Sequence, residues 1–171
     1  MVSVNAPVPT MKKRPTLSER VILQIENNPA NSDLVKQIIS RRGDLALVTA
    51  TSGLQGIEMA RAMQPAVILL DMKMPFMSGF NTLVWLLESV DTAHIPVVTL
   101  SSIAGKGEDR QCLNAGAFAY LTKPYKIDDL MASIDAALHF AAAAAENCQP
   151  AHGQAASAPG ISRSYSPLTT A

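Results

Sequence analysis

The chain has 171 residues, and fourteen Lys+Arg against fourteen Asp+Glu leave a net charge of zero. That balance lacks the electrostatic footprint of a nucleic-acid or anionic-membrane binder. At 48% hydrophobic the chain can fill a real core, yet its longest apolar runs, such as Ala66–Leu70 and Phe140–Ala145, fall far short of the ~20 residues a membrane span needs.

Residues 1–18 hold three prolines, three basic residues and no acid. No apolar stretch of signal-peptide length follows Lys12, Lys13 and Arg14. Cys112 and Cys148 are too few for a disulfide framework. These features predict a soluble cytoplasmic protein with a disordered N-terminal segment over 1–18.

Arg20–Ile25 then reads as a buried strand, with Val21, Ile22, Leu23 and Ile25. Asn31–Arg42 follows as a helix with Leu34, Val35, Ile38 and Ile39 on one face, and Gly43 at its C-cap. Asp44–Ala50 is a second strand. Gly53–Met63 is helical, with Leu54, Ile57 and Ala60 or Met59 inward, until Pro65 stops it. Ala66–Asp71 is a third strand, apolar until it ends in a carboxylate. Phe80–Val90 is a helix with Phe80, Leu83 and Leu86 or Leu87 inward. Val84 and Trp85 point sideways or outward, either as ordinary surface or as a partner contact.

Ile95–Ser101 is the fourth strand. Gly105 and Gly107 flank a connection that leads into a helix over Lys106–Ala115, ended by Gly116. Phe118–Thr122 is the fifth strand. The last helix runs from Ile127 to about Ala143, apolar at Ile127, Leu130, Ile134, Ala137 and Leu138. The folded domain spans 19–145. Residues 146–171, rich in Ala, Ser and Pro, read as a disordered tail.

Five strands alternating with five helices imply an α/β fold, a parallel sheet covered on both faces. Ligands of such sheets lie outside the carboxyl ends of the strands. There the sequence puts Glu26, Asn27, Asp71, Ser101 and Lys123. Carboxylate and amide oxygens with water suit Mg²⁺. A lysine and a hydroxyl beside a carboxylate are equipped to hold a phosphoryl group, and the carboxylate can itself be the nucleophile. His94, His139 and His152 lack metal-ligand spacing, and Cys112 reads as a packing residue.

Four segments carry a resemblance. They are Ile22–Asn31 (ILQIENNPAN), Val67–Pro75 (VILLDMKMP) with Ser78–Phe80, Pro96–Ser102 (PVVTLSS) and Ala115–Tyr125 (AGAFAYLTKPY). Asp71 to Ser101 is 30 residues, and Ser101 to Lys123 is 22. Over residues 19–140 the chain resembles the receiver domain of two-component response regulators, of the single-domain, chemotaxis-regulator-like type. The resemblance implies a doubly wound, flavodoxin-like sheet of order 2-1-3-4-5. It implies Asp71 as phosphoacceptor, and Glu26, Asn27, Asp71 and the Lys73 backbone carbonyl around Mg²⁺. Ser101 becomes the switch hydroxyl, Tyr120 the aromatic switch, and Lys123 the phosphate-contacting lysine before a cis Pro124.

It further implies a phosphorelay role. The donor is a histidine kinase or histidine phosphotransfer protein, and the output is a surface offered to a downstream protein. Neither nucleic acid nor membrane is involved, and a homodimer stays open. The protein is then no enzyme beyond self-catalysed phosphotransfer and dephosphorylation. Enzyme readings on similar folds fail: a dehalogenase-type phosphatase wants an Asp where Lys73 stands, and a flavodoxin wants a hydroxyl-rich loop where Glu26-Asn-Asn-Pro29 stands.

One departure matters. The family usually carries two acids at the end of strand 1, and the second is here Asn27. Its amide brings an oxygen but no charge, so Mg²⁺ is held more weakly. A pseudo-receiver that binds proteins without phosphorylation is the alternative. Asn27→Asp is expected to tighten Mg²⁺ binding in a calorimetric titration, since ligand charge governs affinity at divalent sites. Equal or weaker binding in the variant would mean that Asn27 does not face the metal.

Overall fold

A computed structural model describes residues 20–102 and 107–147. The expected disordered segment 1–18, the tail from 148 onward, and Gly105 and Lys106 of the fourth connection lie outside the described residues.

The elements alternate as β1 (Arg20–Ile25), α1 (Pro29–Ile39), β2 (Leu45–Ala50), α2 (Gly53–Met63), β3 (Val67–Asp71), α3 (Gly79–Glu88), β4 (Val97–Ser101), α4 (Glu108–Ala115), β5 (Ala119–Thr122) and α5 (Ile127–Asn147). All four strand pairings are parallel, in the order β2-β1-β3-β4-β5. The expected topology is therefore the one observed. Alternation along each strand splits the core in two. Leu23, Ile25, Ile68, Leu70 and Val97 pack with α2, α3 and α4. Ile22, Val67, Leu69, Val98 and Leu100 pack with α1 and α5.

Helix boundaries and faces depart from expectation in instructive ways. α1 starts two residues early because Asn28 caps it, accepting from the Ala30 amide, with Pro29 in the first turn. It ends at Ile39 with Ser40 as cap, so Gly43 is not its terminus. α5 runs past Ala143 to Asn147 and takes in the first two residues of the expected tail. Its Phe140 ring packs on Phe118, centroids 5.4 Å apart.

Leu34, Leu54 and Ile127, expected inside, are exposed. The inward face of α2 is instead Gly53, Gly56, Ile57 and Ala60. The helix lies so close to the sheet that a Cβ on Gly56 would come within 2.3 Å of the Ile25 side chain. In α3, Leu83 and Leu86 are buried and Trp85 is exposed, as the pattern predicts. Its first residue, Gly79, sits against the Asp71 carbonyl, where a Cβ would approach to 2.5 Å.

Gln24 sits in the middle of β1, fully buried, with neither amide atom bonded. A buried amide without partners costs free energy that an apolar side chain of similar shape does not. Gln24→Met is therefore expected to stabilise the fold by about 1 kcal/mol, read as a higher denaturant midpoint at unchanged slope. A lower midpoint would show that the amide is satisfied in solution.

Candidate functional site

The carboxyl ends of β1, β3 and β5 bring together Glu26, Asp71 and Lys123. Glu26 and Asp71 are buried, at 1% and 4% exposure. The Lys123 ammonium donates to both, at 2.9 Å to Glu26 Oε2 and 3.0 Å to Asp71 Oδ2. Each carboxylate has further donors. Glu26 accepts from the Asn28 amide at 2.9 Å and from the Asn31 side chain at 3.0 Å. Asp71 Oδ1 accepts from the Lys73 backbone N–H at 3.0 Å. The Lys123–Pro124 bond is cis.

This arrangement fixes charge where water is scarce. Desolvation opposes the charge on Lys123, but the bonds to Glu26 and Asp71 outweigh it and raise the lysine pKa above its usual 10.5. Asn27 lies just beyond Glu26, exposed on the lip of the strand. The donor set around Asp71 is all hard oxygen, without thiolate or imidazole, which suits Mg²⁺ rather than a softer metal. Among the described residues no three His, Cys, Asp or Glu cluster at a metal-binding spacing. A cation here would have two carboxylates, Glu26 and Asp71, and would complete its shell with neutral oxygens of backbone, amide or water.

Ser101 ends β4, fully buried, on the side of the sheet that faces α4. Its hydroxyl donates to Glu108 Oε2 at 2.8 Å. The Tyr120 phenol donates to the same oxygen at 3.0 Å. Burial raises the Tyr120 pKa; a bond with Ser101 opposes this and Glu108 adds to it. Burial likewise raises the Cys112 pKa, in keeping with a packing role.

The sequence profile of the response regulator receiver domain matches residues 22–135, more than half of the chain. The chain belongs to that family. Among curated relatives, the polar-differentiation response regulator DivK of Brucella ovis is 29% identical over 113 residues, covering 66% of this chain and 91% of its own. A receiver domain protein (CheY-like) from Methanospirillum hungatei JF-1 superposes with a TM-score of 0.68 at 25% identity, covering 74% of this chain and 99% of its own. The receiver domain of a Pseudomonas aeruginosa PAO1 sensor histidine kinase, solved with magnesium in its active site cleft, gives a TM-score of 0.65 at 24% identity, covering 71% and 98%.

In this receiver three features escaped the sequence reading. Asn31 holds Glu26 from the first turn of α1. Phe76 stands fully exposed in the loop after β3 at φ 68, a left-handed conformation uncommon for an aromatic residue. Glu108 accepts from both the Ser101 and the Tyr120 hydroxyl. The Gly107-Glu108 pair at the start of a helix that faces Ser101 is the signal that could have pointed to it. No helix among the described residues is long and apolar enough to cross a membrane.

The folded pKa of Lys123 lies above its unfolded value. Its stabilisation is thus complete below about pH 10.5 and lost as pH rises through the folded pKa. Lys123→Met should abolish that alkaline component in thermal midpoints measured against pH. At pH 7 it should cost about 3 kcal/mol, because two buried carboxylates then face each other without a cation. A midpoint unchanged at pH 7 would mean that water already screens the pair.

Proposed function

We propose that this receiver accepts a phosphoryl group on Asp71 and converts it into a change of a protein-binding surface. The observation that carries the reading is the buried Glu26–Lys123–Asp71 cluster, with an ammonium 3.0 Å from the acceptor carboxylate. The proposed donor is a phosphohistidine of a histidine kinase or phosphotransfer protein. An Asp71 oxygen attacks phosphorus, forming the O–P bond as the P–N bond breaks. The P–N electron pair returns to the imidazole ring, which later takes a proton from water.

Lys123 is positioned to neutralise oxygens that gain charge during transfer. Mg²⁺ is the proposed cofactor, held by Asp71, Glu26, the Asn27 amide oxygen and the Lys73 carbonyl; when bound it supplies further neutralisation of the same oxygens. Ser101 is the hydroxyl that donates to the phosphoryl group, and Tyr120 follows its movement. Leu34, Lys123, Pro124 and Tyr125 line a hollow of about 330 Å³ beside the acceptor. With the exposed Phe76 ring it gives a phosphodonor helix apolar ground to rest on. The protein acts in the cytoplasm as a switch, and its downstream target is another protein.

The test is incubation with acetyl phosphate and Mg²⁺, followed by intact-mass spectrometry. One added phosphoryl group is expected in the wild type and none in Asp71→Asn. Absence of the adduct at saturating Mg²⁺ would overturn the acceptor role and leave a protein-interaction module that works without phosphorylation.

A further inference from the structure

Glu108 opens α4, seven residues beyond Ser101 in the chain. One of its oxygens, Oε2, receives both the Ser101 hydroxyl at 2.8 Å and the Tyr120 phenol at 3.0 Å. Glu108 is itself partly buried, whereas its neighbour Asp109 is exposed. Its backbone begins a helix whose preceding residue, Gly107, adopts φ 108 and offers no side-chain cap. An acid in the first turn of a helix is favoured by the helix dipole, and a carboxylate oxygen is a strong acceptor for hydroxyl donors.

A serine hydroxyl has a single proton to donate. A phosphoryl group on Asp71 presents only acceptor oxygens and needs that proton. In this arrangement Glu108 Oε2 lies 2.8 Å from the Ser101 oxygen and offers it a charge-assisted bond of the strong class, with the Tyr120 phenol oxygen as a second acceptor in the same cluster. We propose that Glu108 is a positioning residue of the switch: its carboxylate competes with a phosphoryl group on Asp71 for the Ser101 proton, and so holds Ser101, Tyr120 and the first turn of α4 in the unphosphorylated arrangement. The inference rests on the acceptor role of Asp71 given above.

The competition sets the threshold of the switch. When Ser101 turns to the phosphoryl oxygens, Glu108 loses one of two donors on the same atom. The helix turn that carries Glu108 loses that tie to β4 and keeps its bond to Tyr120. Modification at one strand end thereby loosens the start of α4 without any direct contact between α4 and Asp71. Removing the carboxylate should do part of the same work with no phosphate present.

The test uses the full chain with Mg²⁺ and beryllofluoride, a stable phosphoryl mimic, and follows ¹³C-labelled tyrosine ring signals. Without ligand, Glu108→Ala and Glu108→Gln should move the Tyr120 ring signal toward its beryllofluoride-bound position, and Asp109→Asn should not. Beryllofluoride affinity should rise about tenfold in Glu108→Ala, the size expected for one charge-assisted hydrogen bond. That gain should vanish in a Ser101→Ala background, a coupling that a merely structural residue would not show.

Equal affinity in wild type and Glu108→Ala, or a gain that persists in Ser101→Ala, overturns the role of Glu108 alone. A wild type that binds no beryllofluoride at any Mg²⁺ concentration overturns the acceptor reading itself, and the competition with it.

Discussion

Two carboxylates cannot stay charged side by side at the dry end of a sheet unless something holds them there. In this receiver that something is the Lys123 ammonium, within 3.0 Å of both Glu26 and Asp71. The lysine supplies the opposite charge that two neighbouring buried carboxylates need, and removing it would leave their charges uncompensated in a poorly hydrated place. It also ties β5 to β1 and β3, strands that do not pair with it.

The pleat of the sheet decides how chemistry reaches the surface. Asp71 continues the alternation of Val67 and Leu69, and Lys123 that of Ala119 and Leu121, all toward α1 and α5. Tyr120 lies on the opposite side, packed with the cluster under α2, α3 and α4. Ser101, next in alternation after Val97 and Thr99, shares that side and stands at the strand terminus. At a strand terminus a side chain can turn past the edge of the sheet, which one in mid-strand cannot. Ser101 thus stands where the Asp71 end of the sheet meets the α4 side.

Strand order, the carboxyl ends of the strands and the meeting of Glu26, Asp71 and Lys123 were legible in the sequence because they follow from apolar runs that end in polar residues, whereas β2 to β5 begin one or two residues later than expected. Helix faces were less so. Large apolar side chains were taken as inward, but α2 approaches the sheet through Gly53, Gly56 and Ala60, and Leu54 is pushed outward. Leu34, in the second turn of α1, and Ile127, the first residue of α5, are both exposed. Asn28 followed by Pro29 marked the true start of α1, and the cap was readable from those two residues alone. Glu108 was not legible as part of the site, since a surface acid in a first turn is ordinary until the fold brings Ser101 and Tyr120 to it.

The close seating of Gly79 on the Asp71 carbonyl has a mechanical meaning. The start of α3 meets the acceptor strand backbone to backbone, with no side chain between them to take up a displacement. A strut of that kind transmits force but does not yield. On the other flank, the first turn of α4 meets the sheet through side chains, two hydroxyls on one Glu108 oxygen, and enters through a glycine at φ 108, while Cys112 anchors the next turn in the core. The two flanks of Asp71 thus differ in kind: one contact is backbone on backbone with no room to give, the other a set of side-chain bonds that can be remade without moving a strand.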